Sequence, residues 1–488
     1  MADTLAKRTS DFVSQGTIDA GLQPVDDALG HDAMALAILH KAVFLPPGAV
    51  IAVQGAWGRG KTDVLLRVAT MVRDPKKRNI PEGLIGDALW INPWQYGTPD
   101  LLTPLVLAIL ERIPEAERKK DGRLRAIAET LLRAGLNFGM KAVGTTMALG
   151  PAVSPLLSAA ADPLDRLLGA LFAAGEGAKS DRPDADPVAV MGDRFAELAQ
   201  KLLDTKGKAA DARVLVCVDD LDRCLPDRQV ALLEAIRFLI SAGAPVTFLI
   251  ALDPTLARQA ILTHYKTTAF DPDRYLDKMF DLRVNLPSLG PRVADLVKHH
   301  VTREVRAMGH VMKIADALTS LLSSDKAPSS IEAASIHAFN TPDLANPRII
   351  RRVFDRLYLL AVSRSADKLR PLTLREPEYR QLLLWLAITE RFPAIRAAAQ
   401  ASTGTPGDDI VQRLTALQQA YEAGKAAGAA AATTALTRGP LDDLLAAHRL
   451  PSPTEAPELV AIFAVLAGVK DWTGPIKEVD EALVAAGL

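Results

Sequence analysis

A chain of 488 residues, 49% of them hydrophobic and 24% charged, is too long for one ordinary core and too apolar to be disordered, so about two to four domains are expected. A net charge of −1 removes any global electrostatic argument for nucleic acid or an anionic membrane and leaves open only a local basic groove. Cys217 and Cys224 match neither a zinc knuckle nor C-x-x-C, which suits a reducing compartment with Cys217 in a core. The polar start, Met1 to Ser10, has no apolar h-region, so cytoplasm is the expected location.

Residues 1–24 read as a polar arm, and from Pro24 a helical pattern sets Met34, Leu36, Ile38, Leu39 and Val43 on one apolar face. Pro46-Pro47-Gly48 breaks that helix before a short apolar run, Val50, Ile51 and Val53, which reads as a buried strand. Next comes Gly55-Ala-Trp-Gly-Arg-Gly60-Lys61-Thr62, which satisfies G-x-x-x-x-G-K-[ST], and an amphipathic helix follows from Asp63. In that context the glycines bring backbone N–H groups around phosphates, and the helix N-terminus adds its positive end. Lys61 is expected to reach the β- and γ-phosphates and the Thr62 hydroxyl to ligate Mg²⁺. Asp26, Asp27 and Gly30 read as an ordinary helix start, its acids complementing the dipole, with contact of Val25 to Gly30 with adenine as the alternative.

Asp74 to Arg78 is a solvated turn, and Ala88 to Ile91 a short strand entering Asn92-Pro93-Trp94-Gln95-Tyr96, whose Asn and aromatics suit packing at the strand's end. Leu101 to Ile113 is a helix closed by Pro114, and Glu115 to Arg133 a charged one. Ala142 to Ala161 then runs for twenty residues without a charge. That length suits a bilayer, but Ala, Gly, Ser, Thr, Pro151 and Pro155 dominate it, which favours buried or partner-facing helices. Lys179 to Pro187 is a polar linker and Phe195 to Leu203 a helix.

The strand from Arg213 to Val218 ends in Asp219-Asp220-Leu-Asp222-Arg223-Cys224, which fits a Walker B element: Asp219 is expected to hold Mg²⁺. Asp220 either polarises the attacking water or serves as a cap or turn residue, and Asp222 with Arg223 reads as a local ion pair. Asp227 is expected to cap a helix over Arg228 to Ser241, Val246 to Leu252 to form a third buried strand, and Asp253 to cap the helix after it. Strand alternating with helix implies parallel pairing, right-handed crossovers and an open α/β sandwich. Gly55–Thr62, Asn92–Tyr96, Asp219–Arg223 and Asp253 then share one edge, where ligands bind in such sheets. Leu282 to Leu286 is a last short strand; beyond it the chain reads as helical, with Pro347 suited to a first turn and Gln419 to Arg438 as an Ala-rich surface or partly disordered segment. The eight histidines show no H-E-x-x-H spacing.

Together these motifs resemble the KAP family of P-loop NTPases, a branch of the AAA+/STAND group. The resemblance rests on Asp27-Ala-Leu-Gly30, on Gly55-x-Trp57-Gly58-x-Gly60-Lys61-Thr62, on Asn92-x-Trp94-x-Tyr96, on Asp219 to Cys224, on Tyr275-Leu-Asp-Lys278 and on Asn346-Pro347-Arg348. It covers roughly residues 25 to 365. It implies a three-layer α/β P-loop core with a parallel sheet, a helical insertion between Walker A and Walker B, and an all-α lid. The expected divisions are an arm at 1–24, a core at 25–290 with the insertion at about 115–190, a lid at 291–375 and a C-terminal helical domain at 376–488. ATP and Mg²⁺ are the implied cofactors, with Gly55, Trp57, Gly58, Arg59, Gly60, Lys61, Thr62 and Asp63 around the nucleotide and Thr62 with Asp219 on the metal. Lys61, Asp220 and Arg348 are the implied catalytic set; Arg348 matches an Arg that reaches nucleotide from the side opposite the P-loop. Arg274 is a weaker match for a trans-acting finger, since it also suits pairing with Asp271 or Asp277. Two positions depart from the family: Ala56 stands where an acid is frequent, and Arg59 where a small residue is.

The family commonly carries an insertion, often with transmembrane helices, and here 157 residues separate Thr62 from Asp219, against about 30 for one βαβ unit. Bacterial members resemble phage-exclusion and other defence proteins; animal members are membrane-associated signalling scaffolds. The leading expectation is a cytoplasmic Mg²⁺-dependent ATPase that switches conformation or assembly, forms a homo-oligomer, and meets a protein partner through its insertion or C-terminal helices. Membrane contact is disfavoured, with peripheral association left open. An ATP-gated scaffold with negligible turnover is one alternative, and an ATPase acting on nucleic acid another, which the charge and the lack of a DNA-reading motif disfavour.

Overall fold

A computed structural model describes residues 27, 29–73, 88–96, 102–132, 187–206, 212–241, 243–266, 270–287, 292–293, 295–296, 339, 346–366, 383–387, 389–390, 419 and 423. The chain divides into two compact units, Met1–Leu286 and Pro287–Leu488.

The first unit runs α1 (His31–Phe44), β1 (Val50–Gln54), α2 (Lys61–Arg73), β2 (Leu89–Ile91), a 3-10 turn (Pro93–Tyr96), α3 (Leu102–Arg112), α4 (Glu115–Lys120) and α5 (122–132). It continues with α6 (Pro187–Thr205), β3 (Val214–Val218), a 3-10 turn (Leu221–Arg223), α7 (Pro226–Ile240), β4 (Val246–Leu252), α8 (Pro254–Tyr265), α9 (Pro272–Met279) and β5 (Leu282–Asn285). All five strands are parallel, in the order β2-β3-β4-β1-β5. Every residue of β1, β3 and β4 is buried, as a strand covered on both faces requires.

Alternation along the strands sorts the core into two sides. Ile51, Val53, Leu215, Cys217, Leu249 and Ala251 pack with α1 and α2. Val50, Ala52, Val214, Val216, Phe248 and Ile250 pack with α3, α5, α6, α7 and α8. The result is a three-layer α/β sandwich.

Several element boundaries differ from those read in sequence. The charged helix breaks at Asp121, whose carboxylate accepts the Leu124 N–H at 3.0 Å and starts α5 anew. Helix α6 begins at Pro187, the last residue of the expected linker. Asp227 is not a cap, because Pro226 already occupies the first turn of α7; its carboxylate lies 3.0 Å from His264 Nδ1 instead. Asp253 does cap α8, accepting from the N–H groups of Thr255 and Leu256. No helix among the described residues is long and apolar enough to cross a membrane. The uncharged stretch 142–161 and nearly all of 419–438 lie outside the described residues.

In the second unit, helix α10 (Pro347–Ala366) starts at the expected proline and buries Ile350 and Val353. Arg352 and Arg356 pair with Glu390 at 2.6 and 3.3 Å, beside the buried Trp385 and Thr389.

Candidate functional site

Because the sheet is parallel, β1, β2, β3 and β4 deliver Gly55, Asn92, Asp219 and Asp253 to the same edge. The loop leaving β1 is fastened at its start, where the Gly55 N–H donates to Leu252 O at 3.1 Å. Gly58 and Gly60 hold φ of 82° and 98°, which L side chains rarely adopt. At Gly60 space agrees with backbone, since a Cβ would lie 2.6 Å from His31 Cε1. The loop feeds α2, whose first-turn N–H groups lack intrahelical acceptors and carry the positive end of the helix dipole.

Lys61 is buried, and its Nζ donates to Gly55 O at 3.0 Å and Ala56 O at 3.4 Å and pairs with Asp222 Oδ2 at 3.0 Å. One strand, β4, separates β1 from β3, a gap of about 9–10 Å at normal strand spacing. Helix α2 bridges that gap, and Thr62 Oγ1 donates to Asp219 Oδ1 at 3.2 Å.

Three carboxylates and two cations meet here. Asp222 has Lys61. Asp220 is held on one oxygen by Arg223 Nε at 2.7 Å and on the other by Asn92 Nδ2 at 3.0 Å. Asp219, only 5% exposed, has no cation partner among the described residues. Burial, followed by the charge of Asp220, pushes its carboxyl up to about 6, against the opposing hydrogen bonds from Thr62 and the Asp220 N–H. Among the described residues, these ion pairs thus leave Asp219 without a cation beside a second hard oxygen donor, Thr62. Mg²⁺ fits such a pair, since it takes one or two protein oxygens and completes its shell with phosphate and water.

The expected pair between Asp222 and Arg223 does not form. Asp220 takes the left-handed conformation (φ 57°), which Asp tolerates, and opens the 3-10 turn. In such a turn side chains three apart eclipse, so Arg223 reaches back to Asp220 while Asp222 turns to Lys61. The Arg223 guanidinium also lies 5.8 Å from the centre of the Trp57 ring and 5.4 Å from that of Trp94. Both rings are about half exposed, and the cation between them ties loop, β2 edge and β3 turn together.

Asp63 sits at the start of α2, but its carboxylate serves α1: Oδ2 lies 2.7 Å from His31 Nδ1 and accepts from Arg67 Nε at 2.8 Å. Burial favours raising this carboxyl, yet those two partners hold it below its ordinary value. Arg67 continues to Asp32 at 2.7 Å, and Asp27 accepts the His31 and Asp32 N–H groups at 2.6 and 3.2 Å. Asp27 thus satisfies the first two N–H groups of α1, whose N-cap residue is Gly30. Arg59 is half-buried. Arg274 is exposed on α9 and forms no ion pair among the described residues: Asp271 accepts its backbone N–H at 3.1 Å, and Asp277 pairs with Arg283. Arg348 belongs to the second unit, where its N–H donates to Asn346 Oδ1 at 3.0 Å.

Compared with known families, residues 32–363, about two thirds of the chain, match the KAP family P-loop domain. The chain belongs to the KAP family. A search of curated proteins returns no match. The KAP span takes in the loop, Asp219 to Arg223 and most of α10, and membership brings nucleotide binding. His31 beneath Gly60 carried no motif signal in sequence, and Asp222, though part of the acidic motif, gave no signal of its pairing with Lys61. Asn92 did carry one, as the residue directly after a strand on the ligand edge, but was read as packing.

Proposed function

We propose that this KAP protein is a Mg²⁺-dependent ATPase whose nucleotide state drives a change in conformation or assembly. The observation that carries the reading is the meeting of Thr62 Oγ1 and Asp219 Oδ1 at 3.2 Å beside a glycine-shaped loop and the buried Lys61. Thr62 and Asp219 would hold the metal, which would supply positive charge against phosphate oxygens when bound. Lys61 and Arg348 stabilise charge on the γ-phosphoryl group, Asp220 orients water, and Arg274 is the weaker finger candidate. The resemblance to bacterial defence members directs the output to resistance against phage.

The test is ATP turnover by wild type, Lys61→Ala and Asp220→Asn, with phage plating on cells expressing the same set. Each substitution is expected to lower turnover by at least about a hundredfold, the range for removing a positioned acid–base or oxyanion group. Unchanged turnover in either variant overturns the role assigned to it, and equal plating overturns the output.

A second reading is supported by one observation: Lys61 and Asp220 both have internal partners already, Asp222 in one case and Arg223 with Asn92 in the other. A nucleotide-gated scaffold uses the same site for binding and turns over negligibly. Single-turnover hydrolysis beside ATP-dependent elution on a sizing column separates the two, with a clear assembly shift at negligible turnover favouring the scaffold.

A further inference from the structure

The ammonium of Lys61 has three hydrogen-bond donors, and the structure supplies three acceptors: Gly55 O, Ala56 O and Asp222 Oδ2. Only Asp222 among them is charged, and the pair is enclosed, the two side chains being 9% and 8% exposed. Resting on the nucleotide reading above, we propose that Asp222 is the resident counter-anion of Lys61. An incoming phosphate must displace it, and that displacement releases Asp220.

The first half follows from competition. A phosphate oxygen and the Asp222 carboxylate want the same ammonium, so every phosphate that binds does so against an internal anion. The second half follows from what is left behind. Once Lys61 turns to phosphate, Asp222 becomes an unpaired, enclosed carboxylate in the same acidic turn as Asp219 and Asp220, and a buried charge stripped of its partner is strongly unfavourable. Relief requires the 3-10 turn Leu221–Arg223 to carry Asp222 toward water. Arg223 belongs to that turn, which is closed by hydrogen bonds from its own N–H to Asp220 O and from the Cys224 N–H to Leu221 O, both at 3.1 Å, so releasing Asp222 means opening these two bonds. Opening the turn therefore draws the guanidinium from Asp220 Oδ1 and leaves that oxygen free to orient water. Triphosphate arrival and the readiness of Asp220 become one event. Asp222 is a positioning residue in this scheme: it acts through Lys61 and Arg223 and need not touch the reacting atoms.

The test uses the full chain with ATP in EDTA, so that affinity is read without metal or turnover. Asp222→Asn keeps shape and removes the competing charge, and is expected to bind ATP about tenfold tighter, equivalent to about 1.4 kcal/mol. The gain should vanish in a Lys61→Ala background. In wild type, hydrogen exchange at the Arg223 and Cys224 amides should rise when ATP is added, a measurement that holds even where the Asn variant does not fold. Wild type that binds ATP while Asp222→Asn binds no tighter, or whose turn amides do not respond, overturns the inference alone. Wild type that binds no ATP overturns the nucleotide reading and this inference with it.

Discussion

Burial acts on individual acids of this chain in a way that pH makes visible. Glu111, half-buried on α3 with Oε1 enclosed and unpartnered among the described residues, is pushed up to about 7 by burial, against the opposing charges of Arg112 and Arg118. Its folded value lies above the ordinary 4.5, so between those limits the folded chain keeps a proton that the unfolded chain has lost. Its contribution to stability is complete below about 4.5 and is lost as pH rises through about 7. Glu111→Gln, neutral at every pH, should melt above wild type at about pH 8 and level with it near pH 4. Thermal melts at the two pH values check this; an equal offset at both would assign the effect to packing.

Among the elements, the loop between β1 and α2 has the least tolerance. Gly60→Ala combines an unfavourable φ with a Cβ placed 2.6 Å from the His31 ring, a strain of about 1–3 kcal/mol. Either the loop or α1 must shift. The expected outcome is ATP binding at least about tenfold weaker with a melting point lowered by only a few degrees, read by calorimetric titration and thermal melts. Full affinity would show that α1 yields instead. The elements themselves were largely legible: β1, β3 and β4 are apolar but for Gln54 and Thr247 because both their faces are covered, and Asp253 and Pro347 mark helix starts. The partners of the acidic turn were not legible. Arg223 lies next to Asp222 in sequence, which suggested their pairing, whereas a 3-10 turn eclipses residues three apart, and Lys61 arrives from a different strand–helix junction. Asp227 was misread for a local reason, as Pro226 had already started the helix before it.

At the scale of the molecule, the residues proposed to hold phosphate and metal all belong to the first unit, and Arg348 to the second. If Arg348 acts on the γ-phosphoryl group, Arg348→Ala in the full chain should reduce turnover by at least about tenfold and leave ATP affinity within about threefold. Steady-state kinetics beside equilibrium binding separate the two quantities. An equal loss of both would make Arg348 a binding residue, and no loss of either would remove it from the site.

One feature of the sheet reaches further than its place in the architecture. The two halves of the site, loop on β1 and acids on β3, are held apart by β4 alone, and that distance is a property of backbone hydrogen bonding. Side chains on β4, such as the fully buried Phe248, set how firmly the layers adhere; truncating one costs about 3–5 kcal/mol without altering the ladder spacing. Drift in the core can therefore erode the lifetime of the folded protein while the jaws of its site keep their opening. Heritable variation is steered toward abundance and away from chemistry.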